Sequence, residues 1–234
     1  MLQEVLHPSI DFSIETVFIL IILVGLEAVL SADNAIALAS IAQGLQTEKE
    51  QKYALNVGLV FAYILRITLI ITATWVIKFW QFSVAGGLYL LWLTFRYYTN
   101  SKSEEGEENH SSLNLKGLWQ AIPMIAVTDL AFSLDSVTTA IAVADEIWLI
   151  IAGGTIGVIA LRFLAGLFIR WIEEYTHLED AGFITVGLVG ARLILKVAMP
   201  DFVPPEWVMI ITILAIFTWG FSAKNTEETS TTNS

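Results

Sequence analysis

Glu27-Ala28-Val29-Leu30-Ser31-Ala32-Asp33-Asn34 and Asp129-Leu130-Ala131-Phe132-Ser133-Leu134-Asp135-Ser136 are one phrase written twice, each inside a long apolar run. In both, an acid is followed six positions later by an Asp and then by a small amide or hydroxyl residue, and an Ala-rich stretch comes next. A carboxylate in a segment apolar enough to cross a bilayer costs about 2.5–3.5 kcal/mol to insert. A bound cation is the natural way to offset that cost. The duplicated phrase therefore predicts a membrane protein with a buried polar site.

The sequence around the two phrases agrees with this reading. Of the 234 residues, 56% are hydrophobic and 15% charged, and the mean hydropathy is +0.68, far from an ordinary soluble domain. Seven apolar segments of roughly membrane length run over residues 14–42, 54–77, 82–99, 118–145, 147–171, 181–198 and 206–222. Trp75, Trp80, Trp119, Trp148, Trp171 and Trp207 fall at or near segment ends, where an aromatic belt belongs. No cysteine is present, which excludes disulfides, thiolate metal sites and thiol redox chemistry. The net charge of −11 comes largely from acids in the 100–116 stretch and near the ends, and it gives no reason to expect nucleic acid as a partner. Met1–Ile10 has no basic n-region, so the first helix is expected to be retained as a signal-anchor.

The repeat extends past the acids. Gly58 is followed eight positions later by Arg66, and Gly154 eight later by Arg162. Gly87-Leu88 in the third segment matches Gly187-Leu188 in the sixth, with Arg96 and Lys196 nine positions beyond the glycines. Segments one to three thus correspond to four to six. Three is odd, so the second copy enters from the opposite side, giving an inverted repeat with its site near the midplane. The expected fold is all-α with seven transmembrane helices: repeat 1 over 1–99, an acidic linker over 100–117, repeat 2 over 118–198, an extra helix over 199–222 and a disordered tail over 223–234. Loop charges set the orientation. Lys49, Lys52, Arg96, Lys102, Lys116, Arg170 and Lys224 fall on one side, Lys78 and Lys196 on the other. The N-terminus is expected outside and the C-terminus in the cytoplasm.

A helix turns 100° per residue, so Glu27 and Asn34 share a face, as do Asp129 and Ser136. Asp33 and Asp135 point elsewhere unless the helices unwind near Ser31–Asn34 and Ser133–Ser136, which would also free carbonyls for an ion. The donors are all hard oxygens, suited to Mg, Ca or Mn; His7, His110 and His177 lie in loops or near ends. The expected metal ligands are Glu27, Asp33, Asn34, Asp129, Asp135 and Ser136, with Arg66 and Arg162 behind them holding carboxylates in place. The competing reading is structural: Arg66, Arg162 and Arg192 pair with the acids and lock the fold. Gly153 and Gly157 form a GxxxG pair expected to serve close helix packing. Glu173, Glu174, Glu179 and Asp180 read as a solvated turn.

At these residues the chain resembles the TerC family of integral membrane proteins, within the wider lysine-exporter superfamily. The match is carried by Glu27-x5-Asp33-Asn34 and Thr128-Asp129-x5-Asp135-Ser136, with Ser31-Ala32-Asp33-Asn34-Ala35 close to the shorter bacterial branch. It covers about Phe18 to Lys196. The resemblance implies a seven-helix fold and export of manganese, with calcium as a further candidate, from the cytoplasm. Many members carry another acid where this chain has Ala126, a departure that removes one candidate ligand or proton carrier. Plastid members need a Ser- and Arg-rich transit segment that is not seen here, so a bacterial plasma membrane is expected, or a thylakoid membrane in a cyanobacterium.

The expected function is therefore a metal-ion exporter, not an enzyme, with Mn²⁺ as cargo, no prosthetic group, and proton antiport as a plausible coupling. Expected partners are a divalent ion and the bilayer; a homo-oligomer is compatible with the sequence. Export of amino acids or other small cationic solutes is the alternative transport reading, and a non-transporting assembly factor for membrane complexes is another. Intramembrane aspartyl proteolysis fits poorly, because Asp33 follows Ser-Ala and Asp135 follows Ser-Leu where its Tyr-Asp and Gly-x-Gly-Asp contexts would be needed.

Overall fold

The computed structural model describes residues 14–76, 78–101, 115, 117–144 and 146–225; within the helices, the side chains of residues 14–16, 26, 28–33, 100, 101 and 206 are outside the description. Among the described residues, seven α-helices lie in the seven apolar segments: α1 (Ile14–Gln43), α2 (Glu48–Val76), α3 (Trp80–Ser101), α4 (Leu118–Val143), α5 (Ile147–Glu174), α6 (Leu178–Ala198) and α7 (Glu206–Gly220), with a 3₁₀ turn at Pro200–Phe202. Most of the expected acidic linker and tail falls outside the described residues.

The helix ends follow from local chemistry. Thr47 caps the start of α2: Glu50 N donates to Thr47 Oγ1 at 3.3 Å, and Thr47 Oγ1 donates to Glu50 Oε2 at 3.1 Å. The first turn of α6 carries Glu179 and Asp180 and its last turn Lys196, each at the pole of the helix dipole that favours it.

Four of the helices, α2, α4, α5 and α6, are long and apolar enough to cross a membrane among the described residues, fewer than the seven crossings expected from the sequence. Three helices fall outside that set. The central side chains of α1 are outside the description, and α3 is diluted by Gln81, Ser83, Thr94 and Arg96. At 15 residues, α7 rises about 22 Å, short of the roughly 30 Å hydrocarbon core.

The most extensive interfaces are α1 with α5, α2 with α4, and α3 with α6; smaller ones join α1 to α4, α2 to α5, α1 to α6 and α3 to α4. Exchanging α1 with α4, α2 with α5 and α3 with α6 maps this set of interfaces onto itself. At the α3–α6 crossing, a Cβ on Gly87 would lie 2.7 Å from Gly190 O, and one on Gly190 2.9 Å from Gly87 O, so only glycine permits this approach.

Two apolar clusters divide the bundle along its length. The larger gathers the second half of α1 from Ala35 to Ala42, Leu45 just beyond it, Leu55 and Leu59 of α2, Ile125 and Phe132 of α4, and Leu161, Ala165, Phe168, Ile169 and Ile172 of α5. The smaller joins Leu23, Leu69, Ile70, Val137, Leu149 and Ile150. Along their helices, Glu27 of α1, Arg66 of α2 and Asp135 of α4 fall between the two clusters. Hydrogen bonds collect one set of connections beyond the larger cluster: Leu115 N donates to Gly44 O at 3.2 Å, Thr176 N to Ala223 O at 3.1 Å and Asn225 N to Glu174 O at 2.8 Å. Lys224 Nζ donates to Glu174 Oε1 at 2.6 Å, and that pairing raises the Lys224 pKa above its ordinary value. Residues 223–225 are thus held against the α5–α6 turn, although the sequence reads as the start of a disordered tail.

Candidate functional site

Arg66 is the hub of the central layer. It extends from the middle of α2, is 1% exposed, and uses both arms of its guanidinium. Nη1 donates to Glu27 Oε1 on α1, and Nη2 donates to Asp129 on α4, 3.1 Å from Oδ1 and 3.4 Å from Oδ2. Two acids from the two copies of the phrase therefore meet on one cation. A buried arginine is stable there because its fork satisfies two carboxylates at once. Ser133 Oγ supports Asp129, donating to its carbonyl at 2.7 Å and lying 3.4 Å from Oδ2. Thr128 and Tyr89 share a hydrogen bond of 2.9 Å behind it.

Glycine on α5 makes the room for Glu27. A Cβ on Gly157 would fall 2.0 Å from Glu27 Cγ, and one on Gly153 would fall 3.2 Å from Leu23 Cβ. The GxxxG pair does bring α5 against α1, and one of its glycines seats a site residue. Beside this cluster is a cavity of about 20 Å³ lined by Glu27, Arg66, Ser136 and Gly153 among others, room for about one water.

Asp135 faces elsewhere. It is six residues beyond Asp129 on an unbroken helix, so the two side chains point about 120° apart. The unwinding at Ser133–Ser136 and Ser31–Asn34 that would have turned the two Asp residues toward their partners does not occur: α4 and α1 are helical throughout both stretches. The reason lies in the partners. Asp135 does not have to swing back to its sister acid, because α6 brings two cations to it. Arg192 Nη1 donates to Oδ2, and Lys196 Nζ to Oδ1 at 2.8 Å. Arg192 and Lys196 are four apart and so share a helix face. Asp135 and Lys196 also line a cleft of about 540 Å³ with Trp80, Ser83 and Thr138. The Lys196 side chain is 40% exposed there.

The remaining site candidates divide as follows. Asn34 is 3% exposed within α1, and Ser136 borders the small cavity. The side chain of Asp33 is outside the described residues. Arg162 does not reach the acids just described; its Nε donates to Asn56 Oδ1. No group of three or more His, Asp, Glu or Cys side chains is placed to share one metal among the described residues. Lys196 was not among the candidates. Its signal was present in the Gly187-to-Lys196 spacing and in the four-residue step from Arg192.

The residues and the bundle agree with what the chain is similar to. A family model described as "Integral membrane protein TerC family" matches residues 12–227. The chain belongs to the TerC family. Among curated relatives of this TerC chain, an uncharacterized membrane protein YceF of Bacillus subtilis is 37% identical over 202 residues, 83% of this chain and 77% of that protein. An uncharacterized membrane protein YkoY of Bacillus subtilis is 31% identical over 194 residues, 76% of this chain but only 60% of the relative. A UPF0053 inner membrane protein YgdQ of Escherichia coli K12 is 30% identical over 186 residues, 73% of this chain and 77% of the relative. No solved structure matches.

Proposed function

We propose that this TerC protein exports divalent metal ions, with Mn²⁺ the expected cargo, through the charged layer between the two apolar clusters. The observation that carries the reading is the position of that layer. Glu27 and Ser136 border the small cavity and Asp135 the open cleft, with Asp129 and Ser133 joined to Glu27 through Arg66. In the proposed arrangement seven crossings form two inverted three-helix repeats plus α7, a plan supported by the interface pattern that survives exchange of the halves. The N-terminus is outside, so the larger apolar cluster seals the cytoplasmic side and the Asp135 cleft opens outward. The ligands are Glu27, Asp33, Asn34, Asp129, Asp135 and Ser136, with Arg66 behind Glu27 and Asp129. Arg162 remains a candidate support for the acids through a rearrangement away from Asn56.

The acids are already balanced by protein cations, so ion binding is an exchange. Three acids of the layer face Arg66, Arg192 and Lys196. Asp33 is the fourth acid of the duplicated phrase, and like-charged carboxylates gathered in one layer favour retaining a proton that a metal would displace; proton antiport belongs to the proposal on that ground. The same ion pairs are what a purely structural lock would use; the cleft reaching Asp135 favours transport over it.

A second reading also has an observation behind it. Asp135 and Lys196 offer a carboxylate and an ammonium in one cleft of about 540 Å³, complementary to a zwitterionic amino acid. Reconstitution separates the two. Purified protein in proteoliposomes is expected to move Mn²⁺, and Asp33→Asn and Asp135→Asn should each abolish the flux with strongly non-additive effects. Flux of an amino acid with none of Mn²⁺ would hand the site to the second reading. No flux of either from well-folded protein would favour the structural role.

A further inference from the structure

The geometry points to Lys196 as a tethered competitor that occupies the Asp135 end of the cation site whenever the cargo is absent, and so favours divalent over monovalent ions. The inference rests on the metal-export reading above and adds a specificity-determining residue to it. Asp135 carries one negative charge and faces two positive ones, Arg192 and Lys196. Lys196 covers Oδ1 and Arg192 holds Oδ2. A metal ion approaching Asp135 Oδ1 from the cleft is repelled by the ammonium that covers it until that ammonium leaves.

Lys196 is the one built to leave. The Arg192 side chain is 12% exposed and the Lys196 side chain 40%. Arg192 has an interaction beyond Asp135, and its planar fork is suited to a fixed pair. Lys196 makes one hydrogen bond, at 2.8 Å, from a flexible four-carbon stem standing in the cleft. Swinging the ammonium into the water of the cleft uncovers Asp135 Oδ1 without moving a helix. Position in the last turn of α6 keeps the charge favourable against the helix dipole in either pose.

Selectivity follows from the exchange. A monovalent ion that displaces Lys196 replaces one positive charge by another and gains little. A divalent ion brings twice the charge to the same carboxylate. After the cargo leaves, Lys196 closes on Asp135 again and resists its return. No helix needs to unwind for this exchange, in keeping with the unbroken α4.

The test is calorimetric titration of the purified full chain with Mn²⁺ alone, and in the presence of K⁺, for wild type, Lys196→Met and Lys196→Arg. Lys196→Met is expected to bind Mn²⁺ at least about tenfold more tightly and to let K⁺ compete, while Lys196→Arg stays near or below wild type. If wild type binds Mn²⁺ and Lys196→Met binds it no more tightly, the competitor role is wrong and the export reading stands. If neither binds any divalent ion, both fall together. A second measurement covers a Lys196→Met that does not fold. In wild type, acylation of Lys196 by a water-soluble amine reagent, read by peptide mass spectrometry, should speed up several-fold on adding Mn²⁺, with exposed Lys78 unchanged. Unchanged or slower labelling of Lys196 overturns the proposal.

Discussion

Arg66 carries the largest consequence of any single residue. It is the cation on which Glu27 and Asp129 converge, buried together with Asp129 and with Glu27 largely enclosed beside it. Removing one member of a buried ionic group leaves the others desolvated and uncompensated, at a cost of about 3–5 kcal/mol. Arg66→Met is therefore expected to destabilise the purified protein by about that amount, read by thermal unfolding in detergent. Adding Glu27→Gln and Asp129→Asn to Arg66→Met should recover much of the loss, since the stranded charges are then gone. A single mutant as stable as wild type would show that the guanidinium does not hold the acids. The acids themselves were legible in the sequence, because charge inside an apolar run stands out. Their partners were less so. Arg66 and Arg162 sit at equal spacing from matching glycines, yet one meets two acids and the other an amide on Asn56; a repeat in sequence fixes position along a helix but not what the opposite helix presents. Lys196 was read as a loop charge because it lies at the end of an apolar segment, where a long side chain ordinarily turns to water.

Helix α5 shows how an element positions the site without contributing a charge to it. Its glycines face two different things. Gly157 is filled by Glu27, with a Cβ clash of 2.0 Å, whereas a Cβ on Gly154 would rest 3.7 Å from Arg66 Cδ, an ordinary contact. Gly157→Ala should force Glu27 off Arg66 and destabilise by about 1–3 kcal/mol, the usual range for overpacking, with loss of Mn²⁺ transport. Gly154→Ala should be close to neutral, with any gain coming from helix propensity. Paired thermal melts and flux assays check this, and damage from Gly154→Ala with none from Gly157→Ala would contradict it. The packing role of Gly153 and Gly157 was readable from their spacing; that one of them seats a carboxylate was not, since nothing in the sequence says which residue of α1 comes opposite. Element ends show the same limit. The second apolar segment begins at residue 54, but α2 starts at Glu48, because the Thr47 cap adds a polar turn that hydropathy does not register.

At the scale of the whole molecule, the interface pattern and the positions of the connections carry the topology. The connection after α1, the end of the one before α4, the α5–α6 turn and the segment after α7 collect at one end through Gly44–Leu115 and the 174–176 pairing with 223–225. The connections after α2, α4 and α6 are left to the other end, where the Asp135 cleft lies between the start of α3 and the close of α6. The alternation was foreseeable from counting segments. The unequal sealing of the two ends was not, because it depends on which helix halves pack together. With no native cysteine, single cysteines report sidedness cleanly. Thr47→Cys and Thr176→Cys should react with an impermeant thiol reagent only from the cytoplasmic side. Glu146→Cys and Asp201→Cys should react only from outside, and Ser83→Cys, in the cleft, should react from outside as well. Reaction of Thr47→Cys and Glu146→Cys from the same side would break the alternation, and with it the inverted repeat. A full reversal, with Ser83→Cys reached only from the cytoplasm, would keep the repeat but turn the open cleft inward, making Asp135 and Lys196 the entry of the export path instead of its exit.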